Sequence, residues 1–324
     1  MIGLGTKIST PHTFNRKHVD RLQKSVTLDG TTDYLEVADH NELSPTDGSD
    51  NDRAFSFACW VKRSDSANFA LFGKGDNTAS KMEYRVFVLS NKIYFDIFDG
   101  SQSIFRRAFA SSAYTNFGNW THVAITYDGS EHQSGMKIYI NGAQIANNTT
   151  SAGTASWDGI PNTDSKLTFG HLNTLSNYDL NGLLADIMFW QDFELKASHI
   201  KYLYARHTGG FYSVDPTKSA NGGLYSTAAA NACVGWWKCT ASAILSTTQT
   251  YSSQEECTGT TVSSSVCASN GVTVEEGQVC CETDVTTTGI VDSETTTSHN
   301  ATFKNNTTIS STNSANSPTV QTAL

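Results

Sequence analysis

Proline is scarce, five residues in 324, and charged residues make up only 16% of the chain. With Thr, Ser, Asn and Gly abundant, such a composition favours strands and polar turns over helices. No apolar run approaches the roughly eighteen residues of a membrane span. The opening stretch from Met1 to Ile8 lacks a long apolar core, so no classical signal peptide is expected. Positive charge is in deficit: 22 Lys and Arg against 31 Asp and Glu leave a net charge of −9. That balance argues against sequence-independent binding to nucleic-acid phosphates. Nucleophile and metal motifs are missing too. There is no Gly-x-Ser-x-Gly, no His-x-x-x-His pair and no Cys-x-x-Cys, and Gly73-Lys-Gly75 is too short for a phosphate loop.

What is present is period-two alternation. Val123, Ile125 and Tyr127 alternate with Ala124 and Thr126, and Met136, Ile138 and Ile140 with Lys137 and Tyr139. Between them Asp128 to Gly135 is polar, and Asn141-Gly142 is a strong turn signal because both residues tolerate positive φ. Further strands are predicted at 26–28 and 34–37. Phe55, Phe57, Cys59 and Val61 share one face, as do Tyr84, Val86 and Val88, then Ile93, Phe95 and Ile97. Residues 167–169 form a short strand, and Leu183, Ala185, Ile187 and Phe189 close the series. Many short strands without intervening helices predict an all-β sandwich. One helix is expected over 195–206, with Ile200, Leu203 and Tyr204 at helical spacing and Ser198 capping its start.

The chain divides into four parts. Residues 1–24 form a basic arm, in which Lys7, Arg16, Lys17, Arg21 and Lys24 against Asp20 give +4. It is either an anchor onto an acidic neighbour or a solvated tail. Residues 25–207 hold the sandwich and 208–232 a linker. Residues 233–324 form a Cys-rich extension whose strands are expected to add to the sandwich or build a small β-subdomain against it. Six Asn-x-Ser/Thr sites, at Asn119, Asn147, Asn148, Asn300, Asn305 and Asn306, reflect an Asn/Thr-rich composition more than glycosylation.

Five segments in order carry a resemblance. They are Leu28-Asp-Gly-Thr-Thr-Asp-Tyr-Leu35, Phe55-Ser-Phe-Ala-Cys-Trp-Val61, Trp120-Thr-His-Val-Ala-Ile-Thr-Tyr-Asp-Gly129, Lys137-Ile-Tyr-Ile-Asn-Gly142 and Gly182-Leu-Leu-Ala-Asp-Ile-Met-Phe-Trp190. Together they resemble laminin-G-like, concanavalin A-like jelly rolls. The resemblance implies an antiparallel jelly-roll β-sandwich with one short helix. It also implies carbohydrate or protein binding, adhesion or a structural role, with calcium as a common ligand. The wider arrangement, with Val234-Gly-Trp-Trp237 and Asn300-Ala-Thr-Phe303 following the jelly roll, resembles virion-associated proteins of tailed phages of aquatic bacteria.

Related glucanases place Glu, Asp and Glu at alternate positions on one strand, and no such triplet occurs here. Glu36 and Asp39 have the wrong spacing, and Asp96 and Asp99 would point to opposite faces. A non-enzyme is therefore expected. Asp29, Asp33, Asp99 and Asp128 lie at predicted turns and are the calcium candidates, with Asx-turn roles as the plainer alternative. Asp186 is either a buried, hydrogen-bonded carboxylate or a groove residue. Trp60, Trp120 and Trp190 fall inside the family segments and are assigned to the core. Trp157 in a polar loop, and Trp237 on a predicted strand opposite Trp236, are the candidates for stacking on a sugar. Cys233, Cys239, Cys257, Cys267, Cys280 and Cys281 fall within 49 residues and suggest up to three disulfides. Cys59 is expected as a buried thiol.

The resemblance implies a structural or adhesive module displayed on a phage particle: a capsid decoration, head fibre or tail-associated protein. Its expected place is the virion surface or another extracellular setting, where cysteines made in a cytosol oxidise after release. Other virion proteins, further copies of the chain and a host-surface glycan are the expected partners. A cell-surface lectin module and an atypical glucanase are the alternatives.

Overall fold

The computed structural model describes residues 24–237, apart from 50, 77–80, 101–103, 154–155, 209–215, 220–222 and 225, and six further strands beyond 237. Thirteen strands come first. They are β1 (Lys24–Asp29), β2 (Tyr34–Val37), β3 (Phe55–Arg63), β4 (Phe69–Gly75), β5 (Met82–Leu89), β6 (Lys92–Gly100), β7 (Phe105–Ala110), β8 (Thr121–Tyr127), β9 (Met136–Ile140), β10 (Ala143–Gln144), β11 (Asn147–Ala152), β12 (Leu167–Phe169) and β13 (Asn181–Gln191). Helices α1 (Ala197–Thr208) and α2 (Thr227–Ala232) follow. Then come β14 (Cys233–Trp237), β15 (Thr248–Tyr251), β16 (Thr260–Val262), β17 (Val279–Glu282), β18 (Ile290–Val291), β19 (Ala301–Lys304) and β20 (Thr308–Ser311).

Two antiparallel sheets form a sandwich. One runs β10-β9-β8-β3-β13-β1-β20, with β14 also paired to β13; the other runs β11-β7-β6-β5-β4-β12-β2-β19-β18. The core between them is aromatic. Phe57 stacks on Phe72 with centroids 3.7 Å apart, and Phe55 contacts Tyr84, Phe95, Tyr127 and Phe189. The alternating residues of β3, β5, β6 and β8 supply this core as their periodicity predicts. At the β9–β10 hairpin, Asn141 and Gly142 both take positive φ, 51° and 78°, as a primed two-residue turn requires.

Strand β13 departs from the expected alternation. A bulge between Ala185 and Met188 puts Asp186 at φ 48° and shifts the phase. Leu184, not Leu183 or Ala185, joins Ile187 and Phe189 in the core, while Met188 and Trp190 face α1 and α2. Asp186 is buried and accepts a hydrogen bond from Trp236 Nε1 at 2.6 Å, which decides between its two expected roles. The bulge lies where one neighbour replaces another: β1 pairs with residues 181–184 of β13, and β14 with residues 187–190.

Strands from the C-terminal segment thus extend both sheets. β14 pairs with β13 and β20 with β1, while β19 pairs with β2. A separate three-stranded sheet, β15-β17-β16, contains Cys280 and Cys281. Helix α1 begins at Ala197, so Ser198 lies inside its first turn instead of capping it. Residues 1–23, most of the basic arm, lie outside the described residues.

Candidate functional site

The outer face of the nine-stranded sheet is built by alternation on three neighbouring strands. Val86 and Val88, Phe95 and Ile97, and Ala108 and Ala110 enter the core. Arg85 and Phe87, Tyr94, Asp96 and Phe98, and Phe105, Arg107 and Phe109 must then project to the other side. Cross-strand register sorts these residues into rows.

Phe87, Tyr94 and Phe109 are direct partners across β5, β6 and β7. Their rings stack at 5.2 and 5.4 Å with interplanar angles of 16° and 12°. Phe98 and Phe105 form a second aromatic row, centroids 6.2 Å apart. Between the two lies Arg85–Asp96–Arg107. The fully buried Asp96 carboxylate accepts from Arg85 Nε at 3.0 Å and from Arg107 Nε and Nη2 at 2.6 and 2.7 Å. Each guanidinium also lies against rings above and below it. Arg85 is 5.0 Å from Phe87 and 4.9 Å from Phe98, and Arg107 is 5.2 Å from Tyr94 and 4.7 Å from Phe105. Such contacts are worth about 0.5–2 kcal/mol each, the larger values when desolvated.

Burial pulls both arginines down. For Arg85 it prevails and the pKa is lowered; for Arg107 the hydrogen bonds and charge of Asp96 outweigh it, and the pKa is raised. A loop containing Leu172, Leu175 and Tyr178 lies over Phe87. Tyr94, Phe105, Arg107 and Phe109 remain half-buried, so the face stays open on the side towards β11, whose Asn148 and Thr150 are the register partners of Phe109 and Arg107.

Sequence reasoning missed this face because β4, β7 and β11 carry weak or no apolar alternation. The one local signal was in β7, where Phe105, Arg107 and Phe109 alternate with Arg106, Ala108 and Ala110.

The residues predicted from the sequence lie elsewhere. Trp237 is fully buried against Phe169, centroids 5.0 Å apart, and Trp236 is buried on the opposite side of β14; neither is a platform. The reason is that β14 is covered on one side by the second sheet and on the other by the helices. Trp157 is half-buried against the core, with the Arg106 guanidinium 4.6 Å from its ring. Trp60 and Trp190 are buried and Trp120 is partly so.

The calcium candidates do not converge. Asp29 and Asp33 share the β1–β2 turn, while Asp99 ends β6 and Asp128 follows β8. Asp29 accepts from the backbone N–H of Thr31, Thr32 and Asp33 at 2.9, 2.8 and 3.0 Å. Burial opposes ionisation of Asp29, but these bonds and the Thr31 hydroxyl hold it well below the ordinary carboxylate range. Asp99 accepts from Asp158 N–H and Asp128 from Ser130 N–H. Among the described residues no group of three or more His, Cys, Asp or Glu is placed to hold a metal ion, and Asp29, Asp99 and Asp128 are engaged as acceptors of backbone N–H groups.

Cys233 and Cys59 are buried, and Cys233 Sγ donates to the Gly235 carbonyl at 3.6 Å. Cys239, Cys257 and Cys267 lie outside the described residues, and of Cys280 and Cys281 only the backbone pairing is described. No helix among the described residues is long and apolar enough to cross a membrane.

A second concavity, of about 550 Å³, lies beside the end of β13 and is lined by Asn41, Arg53, Gln191, Asp192, Phe193 and Asn231 among others. Arg53 and Asp192 form an ion pair there at 2.5 Å, and Glu42 adds a further carboxylate to the lining.

A laminin G family model described as the concanavalin A-like lectin/glucanases superfamily matches residues 29–201. No curated protein matches the chain. Among solved structures, a native heptameric SAP-like pentraxin from Limulus polyphemus is 14% identical, covers 58% of this chain and 84% of its own, and has a TM-score of 0.39. The binding domain of botulinum neurotoxin DC in complex with rat synaptotagmin II is 18% identical over 57% of this chain and 47% of its own, with a TM-score of 0.38. A botulinum neurotoxin type C structure, titled for cell entry through two ganglioside molecules, is 18% identical over 48% of this chain and 36% of its own, with a TM-score of 0.34. The chain spans less than half of either toxin chain.

Proposed function

The chain belongs to the concanavalin A-like lectin/glucanase superfamily, and from that premise we propose that it is a non-enzymatic adhesive module that takes a saccharide on the open face of its nine-stranded sheet. One observation carries this reading: the stacked row Phe87–Tyr94–Phe109, two of whose rings keep surface at the solvent. Sugar rings present flat C–H faces, and a rigid aromatic row binds them with little loss of side-chain entropy. Neighbouring Asn148 and Thr150 supply hydrogen-bonding groups at the rim. Glycoside hydrolysis needs two cooperating carboxylates, about 5 Å apart in retaining enzymes. The carboxylate in the middle of this face, Asp96, is instead buried and occupied by two arginines.

The test is binding of the purified chain to a glycan array and to immobilised polysaccharides. Binding should fall about tenfold or more in Tyr94→Ala and Phe109→Ala, the loss of a stacking contact, and persist in Trp157→Ala. Unchanged binding in the first two variants, or release of cleaved sugars, would overturn the reading.

The proposed setting is the surface of a phage particle, with other virion proteins or copies of this chain as partners and a host-surface glycan as ligand. The support is the order of segments, a jelly roll followed by Val234-Gly-Trp-Trp237, a Cys-rich stretch and Asn300-Ala-Thr-Phe303. Protein mass spectrometry of purified particles should find the chain at fixed stoichiometry. Its absence from particles, with abundance in cell envelopes, would replace this setting with a cell-surface lectin.

A further inference from the structure

The charge on the sheet face is unbalanced, and the imbalance points to the kind of sugar. Two guanidiniums, Arg85 and Arg107, share one carboxylate, Asp96, which leaves the row with a net charge of +1 in a chain of net −9. Arg85 is 8% exposed, and its Nη1 is buried without a hydrogen-bond partner among the described residues. Arg107 binds Asp96 through Nε and Nη2 and keeps 21% of its side chain exposed. A buried, half-compensated cation is destabilising to the fold. An anion arriving from solvent would relieve it.

We propose that the ligand is an acidic saccharide whose carboxylate is taken by the exposed part of Arg107, next to the buried and half-compensated Arg85, while its rings lie against Tyr94 and Phe109. This rests on the reading of the sheet face as a saccharide site. The planar guanidinium fork matches a carboxylate in a way that an ammonium does not. The aromatic rows above and below the arginines exclude water, which strengthens each charged contact. The acidic surface elsewhere repels polyanions and so directs them to this patch.

The experiment compares polygalacturonate with its fully methyl-esterified form, which keeps the rings and removes the charge. The acid should bind about tenfold or more tightly than the ester, the scale of one charge-assisted hydrogen bond. The preference should shrink with added salt. Arg107→Gln should cut the acid-over-ester preference about tenfold or more, and Arg107→Lys should keep only part of it. Circular dichroism of each variant checks the fold, and salt-suppressed binding of wild type gives the same answer without mutation. Equal binding of acid and ester would overturn the acidic-ligand proposal but leave the saccharide face standing. Binding of both that is indifferent to Tyr94→Ala would remove the face itself, as would binding of neither polymer together with a blank glycan array. Tighter binding of dextran sulfate than of either galacturonan would assign the patch to sulfate and overturn the carboxylate assignment.

Discussion

Burial lifts the Asp52 carboxyl to about 6, although the Tyr127 hydroxyl and the Ile160 N–H, at 2.7 Å, both donate to it. Its ordinary value is 3.8, so the folded protein holds this proton more tightly than the unfolded chain does. The resulting stabilisation is complete below about pH 4 and is lost as pH rises through about 6. The full difference is about 3 kcal/mol. Asp52→Asn, which removes the titration, should gain up to about that much relative to wild type between pH 4 and pH 8 in urea unfolding; parallel profiles for the two proteins would refute the assignment. Asp52 is also a case of what local sequence hides. Its partner Ile160 lies 108 positions away, and nothing in residues 50–54 announces a buried carboxylate. Asn141 and Gly142 are the opposite case, since the conformation of a two-residue turn is set by the two residues themselves.

At the scale of elements, β13 is the organising strand. It pairs with β3 along its length on one edge and with β1 and then β14 on the other. Two consecutive tryptophans in β14 serve two clusters, Trp237 between the sheets and Trp236 beneath the helices. Gly235 is required there, because a Cβ would come 2.3 Å from the Trp237 ring. Trp237→Ala should therefore lower stability by about 3–5 kcal/mol, as large-to-small core changes do. A chain ending at 232 should unfold at clearly lower urea or aggregate; equal stability of the truncated and full chains would show that β14 is dispensable. The helix and the strongly alternating strands were legible in the sequence because one face of each carries the large apolar residues at regular spacing. β7 and β11 were not, because β7 carries Arg106 on one side and Arg107 on the other, and β11, Asn147–Ala152, is a polar edge strand. The candidate site spans β5, β6 and β7, and its β7 row escaped the sequence for the same reason.

For the whole molecule, the sandwich should be stiff at its centre and loose at its rims. Backbone amides of β3, β8 and β13 are paired on both sides and covered by buried side chains, whereas β10 and β11 are exposed edge strands. Hydrogen exchange should be slowest in peptides from β3, β8 and β13 and fastest in β10 and β11; protection of β11 equal to that of β3 would contradict this ordering. What the sequence by itself determined was the class of fold, the inward faces of most strands and the turns between them, because alternation and turn chemistry are local. Only the tertiary structure decided where each face ends up. The bulge at Asp186 re-phases β13, β14 buries both tryptophans, Arg106 covers Trp157, and three strands bring aromatic rings and arginines into register on one open surface. Exposure depends on what distant segments cover, and no local pattern of residues encodes that.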